Sequence, residues 1–218
     1  MMITTCIFDF DGTLVNSLED LADTTNILLE KYGYSTHPLE AYRKFVGNGI
    51  DRLLQRAFKN EDKQFLKTIR KEFDSLYQIH NLRKTKPYTG IIELLETLEK
   101  KGIKLAVVTN KAHEIANTMV NTVFPNTFLY TYGGSSEYPH KPNPTMVYHV
   151  MEQLHSKPEE CVFIGDSDVD ILTGKNANIK TIGVTWGFRK KEELVKHKAD
   201  AIADIPKEIG VIIDDWSK

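Results

Sequence analysis

Cysteine is scarce in this chain: two residues in 218, Cys6 and Cys161. Each lies inside an apolar run, so both are expected to be buried core thiols. That excludes a disulfide framework and fits a reducing cytoplasm. Long hydrophobic runs are also missing, and nothing approaches the length that spans a membrane. The first apolar run is broken by Asp9 and Asp11, so no signal peptide is expected. A charge excess of one sign is absent as well. The 28 Lys and Arg nearly balance the 30 Asp and Glu, so no nucleic-acid footprint is expected. There is no internal repeat and no low-complexity stretch. What remains is 41% hydrophobic and 27% charged, an ordinary globular balance. The length suits one large domain, or a core carrying a smaller insertion.

The rest of the chain is organised around Cys6-Ile7-Phe8-Asp9-Phe10-Asp11-Gly12-Thr13-Leu14. Residues 3–8 have the β-branched and aromatic content of a buried strand. The run ends in two carboxylates one residue apart, and alternation can put Asp9 and Asp11 on one side. Gly12 then permits a sharp turn. Two such acids repel and call for a shared proton or a hard cation, magnesium first. A calcium loop opening at Asp9 would need Gly at its sixth position and Glu at its twelfth. Leu14 and Asp20 stand there, which excludes it.

From residue 17 to 32 the apolar residues fall at helical spacing, with Ser17 as N-cap, Glu19 and Asp20 in the first turn and Gly33 as the stop. Residues 39–46, 50–58 and 65–79 also read as helices. Residues 15–86 are therefore expected to be helical throughout, without a strand. From Pro87 strands and helices alternate: helix 91–101, strand 104–109, helix 112–123, strand 128–132, helix 144–154, strand 161–165, helix 168–177, strand 180–184 and a short strand 201–203. Such alternation predicts an α/β fold, a doubly wound parallel sheet with helices on both faces. The helical block becomes an insertion into it, and the ligand site falls at the carboxyl ends of the strands.

Four polar patches follow four of these strands. Asp9 and Asp11 are the first. Thr109-Asn110-Lys111 is the second; a hydroxyl and an amide there suit a phosphate oxygen, or serve simply as a helix N-cap. The third is His140-Lys141-Pro142-Asn143-Pro144. Two prolines stiffen the backbone around one lysine, either to aim it at a fixed anion or at Asp9, or to start the next helix. His140 reads as a surface or loop residue. The fourth is Gly165-Asp166-Ser167-Asp168-Val169-Asp170, where Asp166 and Asp170 lie four apart at a helix start. Each patch alone has a plain structural reading. Together, along one sheet edge, they supply the groups that transfer of a phosphoryl group to an aspartate requires.

These four patches, in this order and across the full chain, resemble the four motifs of the haloacid dehalogenase superfamily. The inserted helices resemble the α-helical cap of its phosphatase subgroup. Within them Phe45-Val46-Gly47-Asn48-Gly49-Ile50, followed by Leu53 and Leu54, is similar to phosphoglycolate phosphatases. The resemblance implies a core of residues 1–14 and 87–218, with a Rossmann-like sheet, and a cap of residues 15–86. It implies that Asp9 is the nucleophile and that Asp11 protonates the leaving oxygen and then activates water. Magnesium would be held by Asp9, the Asp11 backbone carbonyl and Asp166, with Asp170 nearby or behind. Thr109 and Lys141 would hold the phosphate, helped by Asn110. Asp11 argues against dehalogenation, because halide leaves without a proton. Asn16 stands where many relatives have Asp, with little consequence expected.

The expected substrate is a small phosphate ester, 2-phosphoglycolate as the best single choice. The cap loop motivates this: Gly47, Asn48 and Gly49 can bring backbone N–H groups to an anion, and Arg43, Lys44 or Arg52 can add charge for a carboxylate. Solvated basic residues around a helix–turn–helix joint are the plainer reading of that loop. The same core also serves sugar-phosphate phosphatases or mutases and pyrophosphatases. A phosphorylatable receiver domain shares the phospho-aspartate, Thr and Lys, but carries no helical cap. The protein is expected to act as a monomer or homodimer without a nucleic-acid or membrane partner.

Overall fold

A computed structural model describes residues 2–218. The chain opens with strand β1 (Thr5–Phe8) and a short β2 (Val15–Asn16). Four helices follow: α1 (Leu18–Lys31), α2 (Leu39–Phe45), α3 (Ile50–Phe58) and α4 (Lys63–His80). A second short strand, β3 (Lys86–Pro87), pairs antiparallel with β2. The alternating part then runs α5 (Ile91–Lys100), β4 (Lys104–Ala112), α6 (His113–Val123), β5 (Tyr130–Gly134), α7 (Thr145–Leu154), β6 (Cys161–Gly165) and α8 (Asp168–Asn176). It closes with β7 (Lys180–Val184), α9 (Lys191–Lys196), β8 (Ala201–Ala203) and α10 (Pro206–Trp216).

Six strands form one parallel sheet in the order β5-β4-β1-β6-β7-β8. The doubly wound arrangement expected from the alternation is what forms. Its cause is visible in the pleat, because successive residues of a strand feed opposite faces. Cys6 and Phe8 of β1, Leu105 and Val107 of β4, and Val162 and Ile164 of β6 face one apolar layer, built with α5, α6 and α10. Ile7, Ala106, Val108, Cys161 and Phe163 face the other, built chiefly with α7. Strands buried on both faces need unbroken apolar runs, which is why they stand out in the sequence. Cys6 and Cys161 lie in these layers as free thiols.

The four helices of the insertion pack on one another around Leu28, Tyr42, Leu53, Phe73 and Tyr77, continuous with the first of the two layers. Fully burying an apolar side chain of this size contributes about 1.5–3 kcal/mol. Among the described residues no helix is long and apolar enough to cross a membrane.

The structure differs from expectation in several places: β5 runs from Tyr130 to Gly134, two residues later than the strand expected at 128–132. Residues 15–86 are not strand-free, because β2 and β3 pair at the two crossings into the helical block. Two residues per strand are too few for a period to show. The helix expected from residue 112 begins at His113, and β4 continues through Thr109, Asn110 and Lys111 to Ala112. Pairing with β5 overrides the local preference of Thr and Asn for a cap, with a register shift between Thr109 and Ala112. Finally, α9 and α10, on either side of β8, occupy stretches given no element from their pattern.

Candidate active site

Strand β1 is central, and the chain runs to β4 and β5 on one side of it and to β6, β7 and β8 on the other. The carboxyl end of β1 is therefore the switch point where such sheets form their ligand crevice. Phe8 is level with Val107 and Ile164. The next positions along these three strands carry Asp9 and, one residue further, Thr109 and Asp166. The Asp9 N–H still donates to Ile164 O at 2.9 Å, so the nucleophile candidate is tied to the sheet.

Asp9, Asp166 and Asp170 are buried, with carboxylate oxygens within 4.8 Å of one another. One cation serves them. Lys141 Nζ lies 2.6 Å from Asp170 Oδ1 and 2.8 Å from Asp9 Oδ1. The second contact lies off the hydrogen-bonding line, so Asp9 Oδ1 is left without a hydrogen bond. Three acids against one ammonium leave the cluster short of positive charge. Burial, only partly offset by Lys141 and reinforced by Asp170, pushes the Asp9 carboxyl up to about 7. Burial followed by Asp170 and Asp9 pushes Asp166 up to about 8. For Lys141 burial opposes the charge, but Asp170 and Asp9 outweigh it and hold the ammonium above the usual lysine value.

This set fits a hard divalent cation: oxygen donors only, a charge deficit, and one buried carboxylate oxygen with no hydrogen bond. Asp9 has the freer oxygens, and Asp166 Oδ1 accepts only a long bond, 3.4 Å, from Thr13 Oγ1. Asp170 is already engaged, since its Oδ2 accepts from Ser167 N at 3.0 Å and Ser167 Oγ at 2.7 Å, and its Oδ1 faces Lys141. Asp166 Oδ2 accepts from Phe188 N at 2.7 Å. The approach of the 185–190 loop is close enough to require glycine. A Cβ on Gly187 would meet Asp166 Cβ at 2.3 Å, and one on Gly12, whose φ is +91°, would meet Asp166 Oδ2 at 2.7 Å.

The Asp11 carboxylate lies outside that trio. Its oxygens accept from Lys111 Nζ at 3.0 and 3.1 Å, and Oδ1 also accepts from Ser17 Oγ. Ser17 thus stands at the N-cap position of α1 without capping it; its hydroxyl is spent on Asp11. Lys111 Nζ also donates to Tyr77 Oη of α4 at 2.9 Å.

Thr109 is buried in the wall of a cavity of about 40 Å³ that also borders Asp9, Asp11, Gly47, Gly49 and Lys111. Asn110 is committed to the backbone. Its Nδ2 donates to Gly47 O at 3.1 Å and Lys141 O at 3.2 Å, and its Oδ1 accepts from Lys141 N at 2.7 Å. It clips the lysine and the α2–α3 loop to the sheet edge. Gly47 and Gly49 border the cavity, with φ of 102° and 82°. Asn48 turns outward, its Oδ1 accepting from Arg56 Nη2 at 2.9 Å. Arg43 lies on the outer side, donating from Nη1 to Gly187 O at 3.0 Å.

The structure therefore brings together Asp9, Asp11, Thr109, Lys141, Asp166, Asp170, Gly47 and Gly49, and leaves Arg43 and Asn48 outside the cavity. The pattern gave no role to Lys111, Tyr77 or the 185–190 loop, and read Ser17 only as an N-cap. Lys111 was in plain view beside Asn110; its role depends on the strand continuing past Thr109.

Comparison with known proteins supplies the lineage. The family model described as haloacid dehalogenase-like hydrolase matches residues 6–184. A phosphoglycolate phosphatase of Psychrobacter arcticus is 34% identical over 197 residues, covering 86% of each chain. One from Aquifex aeolicus is 34% identical over 189 residues, covering 84% of this chain and 85% of its own. A solved structure from Lactobacillus delbrueckii subsp. bulgaricus, provisionally named a phosphoglycolate phosphatase, superposes with a TM-score of 0.91 at 31% identity, over 98% of this chain and 99% of its own.

Proposed function

The chain belongs to the haloacid dehalogenase-like hydrolase family and is a phosphatase, and from that premise we propose that its substrate is a small phosphorylated carboxylic acid, 2-phosphoglycolate first. The observation that supports a small substrate is the narrow pocket at Asp9. It is roofed by Val46, Ile50 and Leu53 of the helical block, whose apolar side chains narrow the space over Asp9. The names of the relatives support the choice of acid.

In this reading residues 15–86 are a cap over a core of residues 1–14 and 87–218. Asp9 attacks phosphorus, the ester P–O bond breaks, and Asp11 gives its proton to the leaving oxygen. Asp11 then takes a proton from water as that water attacks the aspartyl phosphate, which releases phosphate and regenerates Asp9. Lys141, fixed by Asp170 and by Asn110 through its backbone, holds Asp9 and a phosphate oxygen. Thr109 offers a hydroxyl to the same phosphate. Asp9 and Asp166, with Asp170 behind, would hold a magnesium ion, which would supply charge to offset the phosphate oxygens. Two buried thiols suit a cytoplasmic enzyme, working as a monomer or homodimer.

The test is the ratio of kcat/KM for 2-phosphoglycolate to that for ethyl phosphate, which lacks the carboxylate, and for hexose phosphates. We expect a preference for phosphoglycolate on the order of 100-fold or more over ethyl phosphate, the size of a charge-assisted contact. A preference for hexose phosphates would instead assign a sugar-phosphate enzyme.

A further inference from the structure

We propose that Lys111 is the residue that recognises the substrate carboxylate, in place of any cation from the cap; the inference rests on the carboxylic-acid reading above. The cap arginines nearest the site are spoken for. Arg43 reaches Glu40 and Gly187 O, Arg52 reaches Gln55, and Arg56 holds Lys44 O, Phe45 O and Asn48. What the cap offers to the cavity is apolar side chains and two glycines. Among the described residues, Lys111 is the only cationic side chain bordering that cavity.

Its placement follows the geometry of the substrate. Asp11 must reach the ester oxygen in order to protonate it. In a 2-phospho acid the carboxylate sits on the carbon attached to that same oxygen, so it must fall beside Asp11. Lys111 Nζ lies there, 3.0 and 3.1 Å from the two Asp11 oxygens. Near-equal distances let those oxygens share one of the three ammonium protons. A second goes to Tyr77 Oη, and a third is left for a ligand.

Orienting Asp11 does not by itself explain Lys111. Ser17 Oγ already hydrogen-bonds Asp11 Oδ1, and a charged lysine only 5% exposed is costly to bury. Tyr77 adds a second function. It is the cap side chain that touches this lysine, so the group that reads the carboxylate is complete only when the cap is seated. A substrate without a carboxylate would gain less from closure.

The experiment compares wild type with Lys111→Met, which keeps the length of the stem and removes the charge. kcat/KM is measured for 2-phosphoglycolate and ethyl phosphate, with inhibition by inorganic phosphate reporting an intact phosphate site. Any loss common to both substrates reports the contact with Asp11; beyond it, the variant should lose about 30–100-fold more on phosphoglycolate than on ethyl phosphate, the excess mostly in KM. Equal losses on both, carried by kcat, would assign Lys111 to holding Asp11 and overturn the inference. A wild type with no preference for phosphoglycolate would overturn the carboxylic-acid reading itself. If Lys111→Met does not fold, Tyr77→Phe gives the same readout. A fall of about 3–10-fold in the preference for phosphoglycolate supports the inference, and an unchanged preference overturns it.

Discussion

Asp9 is held between an ammonium and two neighbouring carboxylates, and its properties follow from that position. An amide there has nearly the same shape but no useful nucleophilicity. Asp9→Asn should therefore reduce phosphate release from an aryl phosphate by about three orders of magnitude or more, in a variant that melts like wild type. Asp11→Asn should cost much less on an aryl phosphate than on an alkyl phosphate, since a good leaving group needs little protonation; equal losses would remove Asp11 from acid catalysis. The raised values of Asp9 and Asp166 have a consequence for stability. A carboxyl titrating near 4 when unfolded and higher when folded keeps its proton longer in the folded state. The metal-free protein should therefore lose stability as pH rises from about 4 towards 8 through these two groups. Metal binds the deprotonated forms, so the rise in Tm on adding magnesium should be larger at pH 8.5 than at pH 5.5. Melts with EDTA and with magnesium check this, and Asp166→Asn should shrink the difference. At this scale the acids were legible, because carboxylates at the ends of apolar strands are conspicuous. Ser17 and Lys111 were not. A serine before a helix reads as a cap, and a lysine after Thr-Asn reads as solvated, until tertiary contact assigns each to Asp11.

Among the elements, the 185–190 loop joins the two halves of the site. Phe188 N fixes Asp166, and one residue later Arg189 reaches into the helical block. Arg189 donates from Nη1 to Arg43 O and from Nη2 to Val46 O at 2.8 Å, while Glu193 steadies the guanidinium at 3.2 Å. Arg43 answers with its own bond to Gly187 O. Arg189→Ala should destabilise the closed arrangement by about 1–3 kcal/mol, the range for hydrogen bonds to a charged donor. The expected readout is faster hydrogen exchange across α2 and the α2–α3 loop, with lower kcat; unchanged exchange there would show that the contact does not hold the cap. The longer elements were legible for physical reasons. β6 and β7 fall on the expected residues because five-residue strands inside the sheet leave buried apolar runs, and the three-residue edge strand β8 also falls where expected. The β2–β3 ribbon left no trace, since its pairing is made of backbone, and β4 outran its expected end because β5 supplied partners beyond Thr109.

For the whole molecule, the expected motion is of residues 15–86 against the rest, bending at residues 14–16 and 86–88. The structure stiffens one side of that hinge: the buried Asp20 accepts from Lys84 N, Thr85 N and Thr85 Oγ1, which ties the end of the helical block to α1. Tyr88 N donates to Leu14 O at 3.1 Å across the crossing itself. A vanadate complex should protect residues 14–16, 86–88 and 46–49 from hydrogen exchange together, as one closing unit. No change in any of them would mean that the site opens and closes without this hinge. The paired crossings matter beyond motion. Val15 lies opposite Pro87 and Asn16 opposite Lys86, so the chain leaves the sheet and returns to it through one doorway. Neighbouring strands of this kind run about 5 Å apart, a gap that a tight turn can span. The connectivity of the sheet therefore owes nothing to what lies between. Replacing residues 17–85 by a tight turn between Asn16 and Lys86 should therefore leave the order of the six sheet strands unchanged, at the cost of the contacts that Ser17 and Tyr77 bring to the site.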